Sequence, residues 1–166
     1  GAARAFAGGD RIPQGRALMA TTLPTRTAPP TWPLVWLAAI RPKTLTAALA
    51  PVAVGTAVAW AHGPVAWLPA LAAWGGALLS QIGCNLANDL FDFRKGADGE
   101  DRLGPARATQ QGWLSERQVL TGTLVALGAA AGVGTYLVAV GGWPIVVIGI
   151  ASLVCAVAYT GGPFPL

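Results

Sequence analysis

Long apolar runs divide the chain, and none alternates strictly between apolar and polar positions. They extend from about Thr44 to Ala61, Trp67 to Leu90, Gln118 to Val140 and Pro144 to Thr160. Each approaches the roughly 20 residues an α-helix needs to cross the hydrocarbon core. Continuous apolarity also excludes barrel strands, whose lipid-facing and lumen-facing positions alternate. The pattern therefore predicts an all-α membrane protein of four transmembrane helices, the last short and proline-initiated.

The connections carry the orientation signal. His62-Gly63-Pro64 and Gly141-Gly142-Trp143-Pro144 are short and lack Lys and Arg. By contrast Arg26, Arg41 and Lys43 precede the first run, and Arg94, Lys95, Arg102, Arg107 and Arg117 follow the second. The positive-inside rule then puts the N-terminus and the long middle loop in the cytoplasm, as expected of a multi-pass protein of the cell membrane. With four spans, the C-terminal "YTGGPFPL" returns to that same face. All the polar motifs converge there.

Composition supports the same class. The chain is 54% hydrophobic and 11% charged, against about a quarter charged in soluble domains. Its net charge of +4 is confined to short inter-run segments, which argues against nucleic-acid binding and for contact with an anionic leaflet. Cys84 and Cys155 sit in apolar runs without CxxC spacing; they read as small buried thiols, neither disulfide nor metal site. Residues 1–31 lack periodicity and are expected to be a disordered extension, with translation starting at Met19.

Local signals refine the helices. Gly128 and Gly132 form a GxxxG, with Gly75, Gly76 and Gly83 on the second run, predicting close helix contacts. Ser115-Glu116-Arg117-Gln118 predicts a capping box at the start of the third span. Trp32, Trp36, Trp67, Trp113 and Trp143 fall near predicted span ends, where an aromatic belt would lie.

The chemistry concentrates in "CNLANDLFDFRKGADGEDR", directly after the second apolar run. On a continuing helix Gln81, Asn85, Asn88, Asp89 and Asp92 recur at spacings of three and four and share a face. Unpaired charge at a membrane boundary costs several kcal/mol, so these groups need a counter-ion. An oxygen-only set suits Mg²⁺, which keeps waters and is often completed by substrate phosphates. Arg102 and Arg107 flank a Gly-Pro turn just beyond, and guanidinium forks bind phosphate oxygens in pairs. Carboxylates, then arginines, beside a lipid-accessible bundle point to a lipid diphosphate. Asp98, Glu100 and Asp101 read equally well as solvated loop charges.

At this point "RPKTLTAALAPVAVGTA", "NLANDLFDFRKGADGEDRLGPAR" and "YTGGPFPL" resemble the UbiA superfamily of intramembrane prenyltransferases, in its order and spacing. The likeness covers about Trp36 to Leu166 and is strongest to the menaquinone-pathway branch. It implies a helical bundle around a cavity open to the bilayer. It also implies Mg²⁺-dependent transfer of a polyprenyl group from its diphosphate to an aromatic acid, here 1,4-dihydroxy-2-naphthoate. Carried over, Asn85, Asp89 and Asp92 fall in the metal motif with Asn88 just before Asp89. Arg102 and Arg107 match the diphosphate-contacting segment; in the "RPKT" entry the resemblance implies a substrate-binding Arg41 and a catalytic Lys43, and it implies a catalytic role for Tyr159, an aromatic near the substrates. Where the superfamily has a third acidic residue the chain has Gly96, and Asp98 is the expected substitute. The family also has about nine spans and a second aspartate-rich motif, so residues 32–166 correspond to the N-terminal part of the domain. Such a part is expected to be inactive alone. Another aromatic acceptor, a phosphatidyltransferase and a non-enzymatic cation-binding membrane protein remain as alternatives.

Overall fold

The computed structural model describes residues 30–96 and 107–161, with the side chains at 153 and 156–161 excepted. Nearly all of the extension expected to be disordered lies outside that range, as do Asp98 and Arg102. Among the described residues all regular structure is helical: α1 (Trp32–Ile40), α2 (Pro42–His62), α3 (Trp67–Lys95), α4 (Glu116–Gly141) and α5 (Trp143–Gly161).

The chain's prolines and glycines punctuate these elements. Pro33 opens α1 in its first turn, where a missing N–H costs nothing. Arg41 precedes Pro42, and the residue before a proline is disfavoured in the right-handed helical region. The helix therefore breaks at Arg41, which adopts φ 56°, ψ 71°, before α2 restarts. That makes α1 a separate helix, which the apolar runs had not indicated. Gly96 closes α3 at φ 60°, its N–H turned back onto the carbonyls of Asp92 and Phe93. The expected capping box forms at α4: the Gln118 N–H donates to Ser115 Oγ, and the Ser115 N–H donates to Gln118 Oε1.

Helices α2 and α4 are long and apolar enough to cross a membrane. Helix α3 is at the centre, with α4 laid along it and α1, α2 and α5 against it. Among the described residues the main packed cluster is at one end. It joins Val35 and Ala39 of α1, Leu86 and Leu90 of α3, Ala108 and Leu114 of the turn before α4, and Val119. Each fully buried Leu or Val there contributes about 2 kcal/mol. Away from that end α2 has no buried residue.

One packing expectation is corrected. Around Gly128 and Gly132 an added Cβ would meet nothing within 4 Å, so the GxxxG does not make the described helix contacts. Close approaches between helices are instead found at Gly83, where a Cβ would lie 2.5 Å from Leu127 Cδ2, and at Gly122, 2.9 Å from Trp36 Cζ3, with Gly141 2.7 Å from Ile145 Cγ1 at the α4–α5 turn. Trp36 and Trp113 pack on the core, whereas Trp32, Trp67 and Trp143 are exposed. The thiols are also less enclosed than expected: Cys84 is half-buried and Cys155 exposed, both free.

Candidate functional site

The acidic end of α3 is built on this core. Burial runs unbroken from Asn85 through Leu90, so at this level α3 is enclosed on all sides rather than on a single polar face. One side is closed by the break between α1 and α2, the other by the turn beginning at Arg107. That turn is folded by the Trp113 and Leu114 N–H groups donating to the Ala108 carbonyl, 2.9 and 3.2 Å.

Asp89 is 2% exposed. Its Oδ2 accepts the Thr109 N–H at 3.3 Å, while its Oδ1 has no hydrogen-bond partner among the described residues. Asp92, one turn on, forms an ion pair with Arg107 and keeps some access to solvent. The Arg107 guanidinium is itself buried, and Nη1 also donates to the Asn88 carbonyl at 2.8 Å. The positive charges of Arg107 and Arg41 both lie within electrostatic reach of Asp89. Two carboxylates and the Arg107 guanidinium therefore meet at one end of one helix, with the Arg41 charge in electrostatic reach. Buried charge persists only with such compensation.

The amides divide their roles. The Asn85 Nδ2 donates to the Ile40 carbonyl at 2.6 Å and to Thr44 Oγ1 at 2.8 Å, and its Oδ1 accepts from Gln81 Nε2 at 3.2 Å. Asn88 is buried beside Asp89. Lys43 stays exposed on the first turn of α2. Tyr159 belongs to α5, but its side chain lies outside the described residues. Arg94, at first sight only an orientation charge, pairs with Glu116 and ties the end of α3 to the start of α4.

The participants that sequence reasoning missed are Thr44, Thr109 and the Ile40 carbonyl. Thr44 lies in the quoted "RPKT" entry and Thr109 beyond the acidic stretch, and each acts on α3 across 20 or more positions of chain. A faint signal existed for Thr44, which follows the helix-breaking "RPK" at the spacing of a local cap.

Among the described residues no three His, Cys, Asp or Glu side chains cluster as a protein-only metal cage. Two carboxylates, one with an unmet buried oxygen, do fit Mg²⁺, which is commonly bound by one or two carboxylates with water and phosphate oxygens completing the shell.

Comparison with known proteins bears on this arrangement. The UbiA prenyltransferase family matches residues 48–166. The chain is 38% identical over 136 residues to the 1,4-dihydroxy-2-naphthoate octaprenyltransferase of Escherichia coli (strain K12), covering 78% of this chain and 44% of that protein. It is 38% identical over 131 residues to the protein of that name from Mycobacterium tuberculosis (strain ATCC 25618 / H37Rv), covering 78% and 44%. It is 34% identical over 126 residues to that of Bacillus subtilis (strain 168), covering 76% and 40%. The chain thus spans less than half the length of these curated relatives. No solved structure matches it significantly. The chain belongs to the UbiA prenyltransferase family.

Proposed function

We propose that the chain supplies the diphosphate-binding part of a membrane prenyltransferase that transfers a polyprenyl group from polyprenyl diphosphate to 1,4-dihydroxy-2-naphthoate. The immediate product is the hydroquinone form, demethylmenaquinol, made as the diphosphate departs with the electrons of the allylic C–O bond; demethylmenaquinone follows from it by a separate two-electron oxidation. The acceptor's carboxylate is lost as CO₂ from the carbon that gains the prenyl group. The acceptor rests on the names of the relatives. The diphosphate end rests on one observation: Asp89 is buried within electrostatic reach of the Arg107 and Arg41 charges, and its Oδ1 has no hydrogen-bond partner among the described residues.

Asp89 and Asp92 would hold Mg²⁺, which when bound would neutralise charge on the leaving diphosphate. Asp98 would join them, and Asn88 would line their site. Arg41 approaches Asp89 from the α1–α2 break and is suited to bind diphosphate oxygens there. Arg107 neutralises Asp92 and braces the turn that closes the site. Arg102 and Lys43 would add charge at the diphosphate, and Tyr159 would lie near the substrates. Leu86, Leu90, Ala108 and Leu114 form the packed apolar core beside the site and hold its elements in place.

The membrane arrangement follows from length. The 29 residues of α3 make a rod of about 44 Å at 1.5 Å per residue, longer than the roughly 30 Å hydrocarbon core. Were α2 to α5 all to cross the membrane, the turns from Asp89 to Lys95 would reach the cytoplasmic headgroup region. There a diphosphate is wetted while its tail stays in lipid.

The test is transfer from radiolabelled farnesyl diphosphate by the full-length protein, offered a panel of aromatic acids with and without Mg²⁺. The naphthoate should be prenylated only with the divalent ion, and Asp92→Ala should cut the rate at least about a hundredfold. Selective prenylation of 4-hydroxybenzoate or homogentisate would refute the acceptor. Undiminished turnover by Asp92→Ala would refute the site.

A further inference from the structure

We infer that Asn85 is a positioning residue: its side-chain amide clamps the α1–α2 break in the left-handed form that turns Arg41 toward the acidic end of α3. This deepens the proposed function and rests on it for the meaning of Arg41's charge.

The residue at the break is an arginine, not a glycine. Among the described residues it is the sole non-glycine with positive φ. A side chain in that region crowds its own backbone, so the conformation needs support from outside. The support acts on the two peptide units whose relative rotation defines φ and ψ at Arg41. On the N-terminal side, the Ile40 carbonyl accepts from Asn85 Nδ2 at 2.6 Å. On the C-terminal side, the Arg41 carbonyl accepts from both the N–H and the hydroxyl of Thr44, each at 2.9 Å. The same hydroxyl accepts the second Asn85 N–H at 2.8 Å. Gln81, one turn back, donates to Asn85 Oδ1 at 3.2 Å and fixes which way the amide faces.

Asn85 is 3% exposed, with both N–H groups and its oxygen engaged. One amide on α3 therefore holds both sides of the Arg41 Cα, and Asp89 projects one turn further along that helix. Both N–H donors and this register are needed: a carboxylate at position 85 could not donate, and its charge would face the Ile40 carbonyl.

Two cycles in the full-length protein test this. The first reads thermal unfolding in detergent. Glycine takes positive φ freely, so Asn85→Ala should lower the unfolding temperature clearly in the native background and much less beside Arg41→Gly. Equal losses would overturn the clamp. The second reads binding of farnesyl diphosphate with Mg²⁺. Arg41→Ala should weaken it roughly tenfold or more, the worth of a charge-assisted contact. Asn85→Ala should weaken it comparably alone and add nothing beside Arg41→Ala, since coupled residues are not additive. Thr44→Val, nearly isosteric, should behave as a milder Asn85→Ala if that variant does not fold. Additive losses for either residue would make it a direct ligand and end the positioning role. Failure of the native protein to bind the diphosphate would sink the proposed function, while the thermal cycle would still decide the clamp.

Discussion

Arg107 is the residue on which the charge balance of the site turns. Its guanidinium is 7% exposed, pairs with Asp92 and donates to the Asn88 carbonyl. Removing one member of a buried pair leaves the other charge uncompensated, at a cost of about 3–5 kcal/mol. Arg107→Ala should therefore lower the unfolding free energy by about 3 kcal/mol, and adding Asp92→Ala should restore much of it. Denaturant unfolding of the two variants in detergent checks this; a loss below about 1 kcal/mol would return the pair to the rank of a surface salt bridge. The carboxylates of this cluster were legible in sequence, because charge directly after an apolar run demands a reason. Their partners Thr109 and Arg41 were not legible as partners, since each joins α3 from a segment distant in sequence. Asn85 lay between: its polarity was visible, but not that its amide would face the Ile40 carbonyl.

At the scale of helices, small residues set how closely α3 and α4 approach. A Cβ at Gly83 would lie 2.5 Å from Leu127 Cδ2 and 3.5 Å from its backbone N, so Gly83→Ala forces the side chain or the helices to move. Overpacking of this kind costs about 1–3 kcal/mol. Gly128→Ala meets no atom and should be neutral or slightly stabilising, because alanine is the better helix former. Opposite ranking of the two variants in thermal unfolding would mean that α4 presents its other face to α3. The helices themselves were readable from length and apolarity, and the start of α4 from its cap. What could not be read was which glycine carries the contact, because a GxxxG fixes a spacing along one helix and not its rotation toward a neighbour. The break that makes α1 a separate helix was present in "RPK", yet it matters only because α3 supplies the amide that holds it.

For the molecule as a whole, the packed core and the charged groups occupy the same end of the bundle, while α2 and much of α4 expose apolar surface. Exposed apolar surface of that extent suits lipid or further helices rather than water. On the proposed function, the packed end would handle the diphosphate and the apolar flanks would lie along the polyprenyl tail. The most direct measurement is the affinity of the full-length protein for farnesyl diphosphate as Mg²⁺ is titrated, in native form and as Asp89→Asn. The account predicts that the metal tightens binding by at least about tenfold in the native protein, and that Asp89→Asn abolishes this gain. Equal affinity with and without Mg²⁺ in the native protein, or an undiminished gain in Asp89→Asn, would contradict it.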